Sequence, residues 1–173
     1  MELVMKFTNI IIECIAGCVL FSVVILPPLY KNPLSQIMSY PTAIRKRVEQ
    51  LPQYADIVVN INRRRLAIKI IGIFLIALLF VPLTYFSGDA TFFSAFLHIF
   101  IIAFAINIYD LAILDICIFC HSKKLMIPGT EDMTEEYRNP MHHIRGAGLG
   151  TAISIVVAAM TAGLTVLARL LFG

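Results

Sequence analysis

Six side chains able to bind ligands or exchange protons crowd one stretch of the sequence: Asn107, Asp110, Asp115, Cys117, Cys120 and His121. They close a run whose first part, Phe92 to Tyr109, carries no charge and has only His98 and Asn107 as strongly polar residues. On an α-helical wheel with Asp110 at zero, Cys117 and His121 fall within ~20° and Asn107 within ~60°. These four therefore form one polar stripe, while Asp115 points ~140° away toward another neighbour. Such a stripe could bind a cation or a lipid headgroup, or relay protons. The plainer alternative is a pair of interfacial aspartates matched to Arg63, Arg64 and Arg65 or to Lys123 and Lys124. Further on, His142 and His143 have the chemistry to contact phosphates. The candidate ligand-binding set is thus Asn107, Asp110, Asp115, His121, His142 and His143.

A second pair emerges from depth. Glu13 and His98 each lie six residues beyond the apolar start of their spans, Phe7 and Phe92. At 1.5 Å per residue that places both ~9 Å inward. A lone carboxylate at such depth is costly, so Glu13 is expected to meet His98, with Arg169 and Lys6 as competitors. The alternative is a Glu13 that is protonated or reaches water alone. The pair would be a structural clasp or the outer end of a proton path through Asn107 and Asp110.

Cys117-Ile118-Phe119-Cys120-His121 spells the attachment pattern of c-type haem, but that attachment occurs on the outer side of a membrane and the charge pattern below places this stretch inside. A redox pair fits poorly with a reducing cytoplasm. Cys14, Cys18, Cys117 and Cys120 read as small buried hydrophobes. Cys120, His121 and His142 are of zinc-ligand type, a weak metal candidate because their spacing matches no ligand pattern. No cofactor is expected. Pro128-Gly129 makes a turn, Thr130 caps, and Glu131-Asp132 complement the positive end of a short helix.

The elements that hold these residues follow from hydropathy. The chain has 173 residues, 59% hydrophobic and 14% charged, with a mean hydropathy of +0.85. That excludes an ordinary soluble domain. The apolar residues form blocks long enough to cross a bilayer. The reading is all-α: a polytopic membrane protein, one domain over residues 1–173, with a four-helix transmembrane bundle. Spans are expected at about 7–26, 66–86, 92–118 and 148–171, with loops at 31–65 and 119–147. Pro27-Pro28 is expected to end the first span, and the third, if helical to Cys120, would reach ~43 Å. Ile44, Val48 and Leu51 oppose Arg45, Lys46 and Arg47, the pattern of a cytoplasmic amphipathic helix lying in the membrane interface. With Arg63, Arg64 and Arg65 these bases are candidates for binding anionic headgroups. Gly146, Gly150, Ser154, Ala158 and Ala162 form a small-residue strip that suits bundle packing, or a homo-oligomer or membrane partner.

Of 14 Lys and Arg, all but Lys6 and Arg169 lie in or beside the two loops. By the positive-inside rule both loops are cytoplasmic and both termini outside, in a cell membrane. The net charge of +3 is no nucleic-acid signal, because the bases gather in loops.

The runs DICIFCHSKKLMIPGTEDMTEEYRNPMHHIRG and YPTAIRKRVEQLP resemble a family of small bacterial integral membrane proteins with four spans. The resemblance implies the span count and a bacterial plasma membrane, and it brings no activity and no catalytic residue. The expected function is binding or transport of a small ligand, cation or lipid headgroup at the cytoplasmic half of the third helix. The alternatives are a membrane enzyme acting on a lipid and a structural accessory subunit.

Overall fold

Pro27 and Pro28 do not end the first helix. In the computed structural model α1 runs Glu2–Lys31 straight through both prolines. The structure describes the backbone of residues 2–172 and the side chains of residues 7–54, 57 and 68–172. Proline removes an amide donor and crowds the preceding turn, yet in membrane helices such losses are made up locally. Here the Asn32 amide closes the helix on the Pro28 carbonyl at 2.9 Å.

After a 3-10 turn, Pro33–Ser39, come α2 (Thr42–Gln50), α3 (Ala55–Phe86), α4 (Phe92–Tyr109), α5 (Thr134–Arg138) and α6 (Met141–Phe172). No strand occurs among the described residues. Among the described residues four helices are long and apolar enough to cross a membrane: Phe7–Lys31, Ile68–Phe86, Phe92–His121 and Met141–Phe172. Their outer faces are greasy, with Leu79 70% and Leu170 79% exposed, as suits a membrane protein. Both loops are shorter than expected, because α3 begins at Ala55 and α6 at Met141. His142 and His143 therefore stand in the first turn of α6, not in a loop.

The chain divides into two compact units. Unit 1 comprises Met1–Cys18, Ala67–Asn107 and Gly148–Gly173; unit 2 comprises Val19–Leu66 and Ile108–Ala147. Within unit 1, Ala77, Ile99, Ile102, Val157 and Ala158 form the buried core. Small residues let α3 and α6 approach closely: Thr161 donates to the Ala77 carbonyl at 3.0 Å, and the hydroxyls of Thr84 and Thr165 meet at 2.6 Å. Ser154, Ala158 and Ala162 of the expected strip are buried here, and a Cβ on Gly150 would overlap the Asn107 amide. That face is spent on the protein's own packing. These positions follow the bundle-packing alternative of the sequence reading. Gly146, at the strip's other end, is exposed.

Unit 2 has its own core. Ile37, Tyr40, Ile44, Val48, Leu125 and Ile127 are essentially inaccessible, packed with Phe119, Cys120 and Tyr137. The α2 helix is amphipathic as expected, but its apolar face closes on the second loop and is not presented to a bilayer; that part of the interfacial reading is corrected. The Tyr40 hydroxyl donates to the Leu125 carbonyl at 2.8 Å. The Tyr137 hydroxyl accepts from the Ile127 amide at 3.0 Å and meets Thr130 at 2.8 Å, and Thr130 donates to the Ile127 carbonyl at 2.7 Å. Gly129 turns the loop with φ +91, a conformation that favours glycine.

Candidate functional site

From Asp110 to Ile118 the third span changes winding from α to π. The i→i+5 bonds of a π-helix bring residues five apart onto nearly one face, and such segments recur at functional sites. The α-helical wheel therefore misplaces Asp115. Asp110 and Asp115 share a side of unit 2, and Asp110 is close enough to interact electrostatically with Asp115 and His143. Asp115 Oδ1 lies 3.0 Å from His143 Nδ1. His143, in the first turn of α6, is 4% exposed and packs edge-on against Phe119, ring centroids 4.8 Å apart.

The carboxylate fixes the histidine. It accepts the Nδ1 hydrogen, and in the neutral ring Nε2 then carries the lone pair. That nitrogen is buried and has no hydrogen-bond partner among the described residues. A buried polar atom without a partner costs roughly 1–3 kcal/mol. Chemically this is a carboxylate-oriented imidazole with its basic nitrogen open, next to a second carboxylate.

The other expected members are elsewhere. His121 is exposed and its Nδ1 turns back to the Ile116 carbonyl at 2.9 Å, the end of its own helix. His142 reaches the Ser39 backbone and stacks edge-on to His143 at 5.5 Å. Cys120 is buried in the unit 2 core while Cys117 is exposed, and none of the four cysteines is in a disulfide. Cys120, His121 and His142 are thus not gathered, and no group of three or more His, Cys, Asp or Glu among the described residues is placed to hold a metal ion. Asn107 belongs to unit 1, where it donates to Thr151 Oγ1 at 3.1 Å. Arg45 lies 3.9 Å from Glu49 and Arg47 4.0 Å from Asp132. Arg63, Arg64, Arg65 and Lys6 lie outside the residues whose side chains are described.

Comparison of the chain with family models, with curated proteins and with solved structures finds no match.

Unit 1 holds a second cluster. His98, 7% exposed, has Nε2 2.6 Å from Glu13 Oε2 and Nδ1 2.7 Å from Asp89 Oδ2. The structure brings Glu13 and His98 together and adds Asp89, which wheel and depth reasoning on the spans did not reach. Asp89 sits in the turn that ends α3. Gly88, at φ 78, puts the chain into a left-handed cap in which the Gly88 amide bonds Tyr85 and the Asp89 amide bonds Thr84. The signal was present as an aspartate directly after that glycine. Arg169 does not meet Glu13; its Nε and Nη2 donate to the Asp89 and Tyr85 carbonyls at 2.9 and 2.8 Å, capping α3. Thr91 and Ser94 exchange hydroxyl–amide bonds that start α4.

Proposed function

We propose that this protein binds a small protic group, a lipid headgroup above all, at the Asp110–Asp115–His143 cluster of unit 2. The observation that carries the reading is the buried, unpartnered Nε2 of His143 beside the carboxylate that orients it. With the ring neutral, Nε2 is an acceptor beside two carboxylates, which suits a group that donates hydrogen bonds, an ammonium or a hydroxyl. The protein is read as a four-span protein of a bacterial plasma membrane, with both termini outside and both basic loops in the cytoplasm; the clustering of bases in the loops supports this. The basic face of α2, with Arg45, Lys46 and Arg47, would add attraction to anionic headgroups of about 1 kcal/mol per base.

The pairing of a carboxylate with an imidazole also suits general-base catalysis on a headgroup hydroxyl. That second reading differs in requiring turnover of the bound lipid.

The test uses headgroups that differ in one property. An ethanolamine headgroup donates hydrogen bonds and a choline headgroup does not. Purified protein exchanged into vesicles of each lipid, then examined by native mass spectrometry, should retain the ethanolamine lipid several-fold more. Asp115→Asn, which disturbs the ring's tautomer and leaves the side-chain shape, should abolish the preference. Equal retention of the two lipids by the wild type would remove the proposal.

A further inference from the structure

We infer that unit 1 contains a separate binding site, a cavity that takes an amphiphile with an amine head, with Asp89 as the acceptor of that head. The cavity has a volume of about 700 Å³, within the usual range for small-molecule sites. Phe7, Ile10, Leu97 and Ile101 form its apolar wall, and Asp89 and His98 supply its charged end. It shares no residue with the Asp115–His143 cluster, so the two proposals stand or fall separately.

The charge of the polar end follows from counting protons. Each of the two short contacts to His98 needs a hydrogen between its heavy atoms, because a carboxylate and a bare ring nitrogen are both acceptors. An imidazolium between two carboxylates satisfies this. So does a neutral imidazole with one carboxylic acid. Both arrangements hold the same two protons and leave one net negative charge on the three groups. Arg169, the cation beside them, directs Nε and Nη2 to main-chain carbonyls and is not part of the cavity lining.

Asp89 meets His98 through Oδ2, which leaves Oδ1 to accept from a ligand. The residue is held there twice, by the left-handed turn at Gly88 and by Arg169 on its carbonyl, so the acceptor is positioned before any ligand arrives. Such preorganisation lowers the ordering cost of binding. The apolar wall then favours a hydrocarbon body, and the open Oδ1 of Asp89 accepts from a protonated amine most strongly, from a hydroxyl less, and has nothing to accept from a carboxylate head.

Three chain-matched probes separate these outcomes: decylamine, decanol and decanoate, each added to the detergent-solubilised full chain while the thermal midpoint is followed. Decylamine should raise the midpoint, decanol should raise it less, and decanoate should not raise it. Leu97→Trp and Ile101→Trp place bulk in the cavity from partly exposed positions, 43% and 38% accessible, and should remove the decylamine shift. A decanoate shift equal to that of decylamine, or a decylamine shift that survives in both variants, would overturn the inference. Should neither variant fold, the order of amine and carboxylate on the wild type still decides it.

Discussion

Tyr40 shows how one side chain organises unit 2. Its ring is fully buried between Phe119 and Tyr137, at centroid distances of 4.7 and 6.0 Å, and its hydroxyl satisfies the Leu125 carbonyl. Tyr40→Phe keeps the ring and strands that carbonyl, so a loss of roughly 1–3 kcal/mol is expected in denaturant unfolding. Burial also holds the Tyr40 phenol above its ordinary value of 10.0. The folded state then prefers the protonated form more strongly than the unfolded state does. That contribution is complete below pH 10 and is lost as the pH rises through the folded value. The stability gap between wild type and Tyr40→Phe should therefore shrink above pH 10; a gap constant across that range would show that Tyr40 does not titrate with unfolding. At the same scale, Glu13 and His98 were legible because both sit on helices whose rise fixes depth. The open Nε2 of His143 was not legible, since a partner's absence depends on everything packed around the ring.

At the scale of elements, what the sequence conveyed depended on regular geometry. Hydropathy located all four long helices. The register of the third failed at Asp110, where π winding replaces the 100° step on which a wheel depends. The end of the first also failed, because two prolines were accommodated within the helix. The amphipathic pattern of α2 was read correctly as a pattern and wrongly as a membrane seat, since a period says which face is apolar and not what covers it. The small-residue strip of α6 was legible as a packing face, and the structure assigns it to contacts within unit 1. Ala158 is inaccessible in that core, so Ala158→Leu should cost about 1–3 kcal/mol through overpacking. An unchanged thermal midpoint for that variant would mean the helices yield there without strain.

For the whole molecule, the two histidine clusters invite comparison of their composition. In unit 1 both nitrogens of His98 are engaged by carboxylates, and the open acceptor lies on Asp89. In unit 2 Nδ1 of His143 is engaged by Asp115, and Nε2 of the same ring has no partner among the described residues. Each cluster is proposed to offer an acceptor to a donor ligand, and each assignment needs a membrane side. A cytoplasmic headgroup site requires both basic loops inside. In a background with the four native cysteines replaced by alanine, single cysteines at Gln53 and Ala90, both exposed, report the two sides through labelling of intact cells with an impermeant thiol reagent. With both loops inside, Ala90→Cys is labelled at once and Gln53→Cys only after permeabilisation. Labelling of Gln53→Cys on intact cells, with Ala90→Cys protected, would contradict it.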